Sequence, residues 1–88
     1  MRKVEIKKID NYNYTLTDIN NNVYIKNIEF YGNYKPVIGD IIYIDNSILD
    51  ENNLYSFDEI YDKSNYQIEE IIKVVHDDKE YYFQRIYG

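Results

Sequence analysis

Lys35-Pro36-Val37-Ile38-Gly39-Asp40-Ile41-Ile42-Tyr43-Ile44 sets a proline and a Gly-Asp turn directly before an apolar, β-branched run. Proline fixes its own φ and glycine supplies the positive φ that a tight turn needs. The run that follows has the chemistry of a buried strand, read here as Ile41–Asp45. This stretch decides the fold, because the chain on either side reads as strand too.

Upstream, Val4, Ile6 and Lys8 alternate with Glu5 and Lys7, which predicts a half-buried strand over 3–9. Ile9 breaks that alternation, so a bulge or strand end is expected near Lys8. Asp10-Asn11 forms a turn. Tyr12, Tyr14 and Leu16 then alternate with Asn13, Thr15 and Thr17 as a second strand. Asp18-Ile19-Asn20-Asn21-Asn22 reads as a hairpin loop, since Asn and Asp tolerate left-handed backbone. A third strand runs from Val23 to Phe30. Its apolar residues change parity between Val23/Ile25 and Ile28/Phe30, and a bulge near Lys26-Asn27 would bring all four to the core.

Downstream, 46–67 reads as a short helix plus a long loop. Ser47 is its expected cap, Asp50 is the acidic residue of the first turn, and Ile48 and Leu49 are its buried face. Ile68, Ile71, Ile72 and Val75 have helical spacing but sit in a β-branched cluster. A closing hairpin, with Asp77-Asp78 as its turn and 80–87 as the last strand, is the reading taken over a helix.

The composition agrees with a mainly β chain. Its 88 residues include 15 Ile and 12 Tyr, with no Ala, Trp or Cys. Ile and Tyr favour pleated surfaces, and Ala is the best helix former. A/T-rich codons also favour Ile, Tyr and Asn, so the tyrosine excess is not taken as a functional signal. The length suits one domain, 1–88. Without cysteine, neither disulfides nor thiolate metal sites are available. One histidine, His76, excludes a multi-histidine metal site within the chain. A formal charge of −6 favours solubility and disfavours nucleic acid. Val4-Glu5-Ile6-Lys7-Lys8 interrupts the apolar segment that a signal peptide would need, and no run is long enough for a membrane span. The expected compartment is the cytoplasm.

These elements predict a small, partly open β-barrel of five or six strands, with a short helix or irregular region at 47–67. Residues 3–46 resemble the N-terminal OB-type barrel of the ribosome-assembly GTPases. The likeness rests on the first strand around Val4, on Tyr14, Leu16, Asp18 and Tyr24, and on Lys35-Pro36 followed by Val37-Ile38-Gly39-Asp40-Ile41. That last piece is also similar to S1-type RNA-binding barrels. The resemblance implies an OB-like barrel. It carries no GTPase activity, because the chain has no G-x-x-x-x-G-K-[ST] loop, and it does not extend past Asn46.

Three sets of residues are candidates for function. The C-terminal run offers Tyr81, Phe83, Arg85 and Tyr87 on one parity, an aromatic-plus-Arg set typical of partner-binding strands. Tyr24 and Lys26, with Lys7 and Lys35, are the candidate nucleic-acid face, since OB-type barrels stack bases on aromatics beside basic residues. Six of the ten bases lie within the first 35 residues. His76 with Asp77 and Asp78 would suit a general base, but a polar hairpin turn is the reading taken over it. The acids of 45–62 lack calcium-loop spacing. No cofactor, metal or catalytic residue is expected.

The resulting expectation is a non-enzymatic module. It would bind a basic or nucleic-acid-associated protein through the C-terminal strand and the acidic 45–62 region. A small inhibitor that mimics nucleic-acid charge is a variant, and a homodimer through an edge strand is another form of partner. The alternative is an OB-type RNA or single-stranded DNA binder.

Overall fold

The computed structural model describes residues 1–52, 54–61 and 71–86. Among the described residues, seven strands and one short helix follow in order: β1 (Arg2–Asp10), β2 (Asn13–Thr17), β3 (Val23–Tyr31), β4 (Ile41–Ile44), α1 (Asn46–Asp50), β5 (Leu54–Glu59), β6 (Ile71–His76) and β7 (Lys79–Ile86). The sheet closes in a ring of order β1-β2-β3-β5-β7-β6-β4. Among the described strands only the β3–β5 seam is parallel, with Asn27 opposite Leu54 and Phe30 opposite Phe57. The fold is mainly β, as expected, but the ring is closed and has one strand more than the upper count read from sequence.

The additional strand is β5. Tyr55 and Phe57 alternate with Ser56 and Asp58, and both aromatics are fully buried. Its parallel partner β3 lies far back in the chain, and the turn-rich Asn52-Asn53 that precedes it reads as loop. The helix falls where it was expected, with Ile48 and Leu49 buried. Its cap is Asp45 rather than Ser47: the Asp45 carboxylate accepts from the Ser47 backbone N–H at 2.8 Å.

The bulge near Lys8 is present, as a register shift between Ile6 and Lys8 in the β1–β2 pairing. The bulge expected near Lys26-Asn27 is absent, and β3 pairs with β2 in unbroken register. Strict alternation therefore sends Lys26, Ile28 and Phe30 inward and Val23 and Ile25 outward. The expected closing hairpin holds in the described part, with β6 a strand and His76 paired with Lys79. Its turn residues Asp77 (φ 47°) and Asp78 (φ 66°) both have positive φ, as a two-residue type I′ turn requires. Ile68 lies outside the described residues.

Among the described residues the core is a single cluster inside the ring. Phe30 sits near its centre, edge-on to Tyr14 (5.3 Å between centroids) and Phe83 (5.0 Å), and stacked with Phe57 (6.0 Å). Val4, Ile6, Leu16, Ile28, Ile42, Ile44, Ile72 and Val74 fill the space around it. Each such side chain contributes about 1.5–3 kcal/mol through burial. No helix among the described residues is long and apolar enough to cross a membrane.

Candidate functional site

The opening Gly-Asp turn does more than start a strand. Gly39 has φ 97°, and Asp40 N–H donates to the Val37 carbonyl at 3.1 Å, which closes the turn. Asp40 itself is only 2 % exposed. One of its carboxylate oxygens accepts from Val37 N–H at 3.0 Å and from the Tyr34 hydroxyl. The other lies 2.6 Å from His76 Nδ1. Ile41 pairs with Val75 across β4–β6, so one further step in that antiparallel register sets Asp40 against His76.

The second imidazole nitrogen, Nε2, lies 3.2 Å from the exposed Asp77 carboxylate. The hydrogen bond to Asp40 raises the His76 pKa, and the charges of Asp40 and Asp77 add to the rise against partial desolvation. Burial, reinforced by the bond to Asp40, pushes the Tyr34 phenol well up. The Tyr34 ring stacks on Tyr81 at 3.8 Å, nearly parallel. The carboxylate that orients His76 is thus a buried one 36 positions earlier, not its turn neighbours alone. With a carboxylate beside each ring nitrogen, the site favours the protonated imidazole, whose Nδ1–H donates to Asp40.

The nominated partner strand points inward. Phe83 is fully buried in the core, so it cannot touch a partner in the folded chain. Tyr81 packs against the core and stacks on Tyr34. The Arg85 guanidinium lies 4.6 Å over the Tyr55 ring. These three share the inward parity because β7 closes the ring between β5 and β6. Tyr87 lies outside the described residues. Since β7 has a strand on each side, it is not an edge strand.

The nominated nucleic-acid set is also scattered. Lys26 is 5 % exposed and donates its ammonium to the Glu51 carbonyl at 2.7 Å. Tyr24 is half-buried, and its hydroxyl donates to Asp18 at 3.0 Å and accepts from Arg2. Lys7 is exposed but lies 2.9 Å from Glu5. Lys35 is exposed in the loop before β4. The outward residues of β2 and β3 over their paired segment are Asn13, Thr15, Thr17, Val23, Ile25 and Asn27, with no aromatic and no base among them.

Three of the six acids of 45–62 are used by the fold. Asp45 caps α1, Glu51 accepts from the Tyr55 hydroxyl at 2.7 Å, and Glu59 accepts from Tyr34 N–H at 2.8 Å. Asp50 and Asp58 are exposed, and Asp62 lies outside the described residues.

What the ring does present is an apolar outer wall on β3, β5 and β7. Val23 (61 % exposed), Ile25 (65 %) and Leu54 (58 %) point outward, as do Tyr31 and Ile86. Ile25 and Leu54 line one shallow groove with Asn13 and Asn27. Tyr31 and Ile86 line a second with Ser56 and Asp58. The register joins the two, because Ser56 follows Leu54 on the same face and lies opposite both Glu29 and Ile86. Glu29 and Asp58 supply negative charge to this wall. No family model, curated protein or solved structure matches the chain.

Proposed function

We propose that the chain is a non-enzymatic binding module that takes a basic protein partner on the outer wall of β3, β5 and β7. The observation that carries this reading is the run of outward apolar side chains, Ile25, Leu54, Ile86 and Tyr31, joined through strand register. Apolar side chains joined in this way on a small domain mark an interaction surface. Glu29 and Asp58 within the wall, and a net charge of −6, favour a partner rich in Lys and Arg.

The resemblance of 3–46 to OB-type barrels supports binding rather than catalysis, since those barrels recognise partners on the outside of their strands. A cytoplasmic setting fits a chain without cysteine. The inward turn of Lys26 and the absence of aromatics and bases on the paired β2–β3 outer face weigh against the RNA or single-stranded DNA alternative.

The test is capture from host lysate with and without nuclease, comparing the wild type with Ile25→Asp and Lys35→Glu. The reading expects a protein that survives nuclease treatment, is lost with Ile25→Asp and is kept with Lys35→Glu. Recovery of nucleic acid that is lost with Lys35→Glu and kept with Ile25→Asp would overturn it.

A further inference from the structure

We propose that Asp40, His76 and Asp77 form a pH-responsive clamp that holds the β4–β6 seam shut while the imidazole is protonated and loosens it when the proton leaves. The β4–β6 register runs over Ile41–Val75, Ile42–Val74 and Tyr43–Lys73, the shortest described seam of the ring. The clamp sits at one end of it. Asp40 comes from the turn that launches β4, and His76 is the last residue of β6.

The geometry gives each protonation state a different set of attractions. The imidazolium donates Nδ1–H to Asp40 at 2.6 Å, and its Nε2 pairs electrostatically with the Asp77 carboxylate at 3.2 Å. The bond to Asp40 is charge-assisted. A neutral imidazole keeps one N–H, so its other nitrogen turns a lone pair toward a carboxylate. The bond to Asp40 across the seam then loses its charge assistance, and the attraction to Asp77 is lost. Asp77, with its side chain 89 % exposed, is free to swing into water. Asp40 is buried and pinned by Val37 and Tyr34, so it stays.

Every described ionisable group facing the ring has a defined effect. Asp40 from the β4 turn and Asp77 from the hairpin favour the cation, and Lys79 across the hairpin opposes it. Tyr34 lies 6.0 Å from the imidazole centroid and donates its hydroxyl to the same Asp40 carboxylate. The pKa rise described above agrees with this arrangement, which stands on the distances and the register.

His76 is the only histidine, so its imidazole resonances are unambiguous in an NMR titration from pH 5.5 to 8.5. The expected result has two parts. The titration midpoint lies above the ordinary histidine value of about 6.5. Hydrogen-exchange protection at the β4 and β6 amides, corrected for intrinsic rate, falls several-fold between the two ends while the β2–β3 amides hold. His76→Gln removes that difference. Asp77→Asn, at an exposed side chain that the core does not use, lowers the midpoint and so tests the bridge if the His76 variant fails to fold. A midpoint at or below about 6.5, a midpoint unmoved by Asp77→Asn, or protection that falls equally throughout the ring overturns the clamp.

Discussion

Phe83 shows how one residue separates packing from recognition. Composition alone makes it a partner anchor, because it sits in an aromatic strand beside an arginine. Its ring is instead edge-on to Phe30 in the centre of the core. Phe83→Ala is expected to cost about 3–5 kcal/mol, read as a fall in the urea midpoint. That is a large share of the stability of a domain this small. Any binding defect in that variant would follow from unfolding, so it is a poor probe of the interface. An unchanged midpoint would mean that Phe83 is not in the core. His76 supplies the second residue-scale lesson. Its folded pKa is raised, so its stabilisation is complete below about pH 6.5 and is lost as pH rises through the folded value. The melting temperature of the wild type should therefore fall relative to that of His76→Gln as pH increases from about 6.5, and parallel profiles would contradict this.

At the scale of elements, much of the fold was legible. β1, its bulge, β2, β4, the helix and the Asp77-Asp78 hairpin all announce themselves through alternation or turn chemistry. The facing of β3 was not legible. Val23 and Ile25 oppose Ile28 and Phe30 in parity, and hydrophobicity alone favours a bulge over an outward Ile. The buried Lys26 compounds the error, since a lysine in a strand normally marks the wet face. Its inward turn becomes intelligible only once the Glu51 carbonyl is brought to its ammonium by the chain after α1. The site was legible in part: the Gly-Asp turn stood out, but its link to His76 depends on the β4–β6 register, which no local pattern encodes. The outer wall depends on β5, whose parallel pairing is equally non-local. One loop fixes that strand. Gly32, at φ 136°, lies where an added Cβ would come within 2.4 Å of Glu59 Cβ. Asn33 and Tyr34 then donate backbone N–H groups to the Tyr61 hydroxyl and the Glu59 carboxylate. Gly32→Ala should destabilise the chain by about 1–3 kcal/mol through the strained φ, with the clash adding to it. Chemical denaturation measures this, and a neutral result would mean that the loop does not dock on β5.

For the whole molecule, closure decides where function can lie. A ring with a neighbour on each side of every described strand offers no long backbone edge for pairing. Recognition must then use side chains on the outer walls. β1, with Lys3 and Lys7 exposed, lies across the ring from β5 and β7, which together with β3 carry Ile25, Leu54, Ile86, Glu29 and Asp58. The two sides thus differ in both charge and polarity. The most direct measurement places a photo-crosslinking residue at Ile25, at Leu54 and, as the opposite-wall control, at Lys3, and irradiates each in host lysate. Protein adducts from positions 25 and 54 but not from position 3 are the predicted result. Nucleic-acid adducts, or protein adducts equally strong from position 3, would contradict the assignment of the β3–β5–β7 wall as the partner surface.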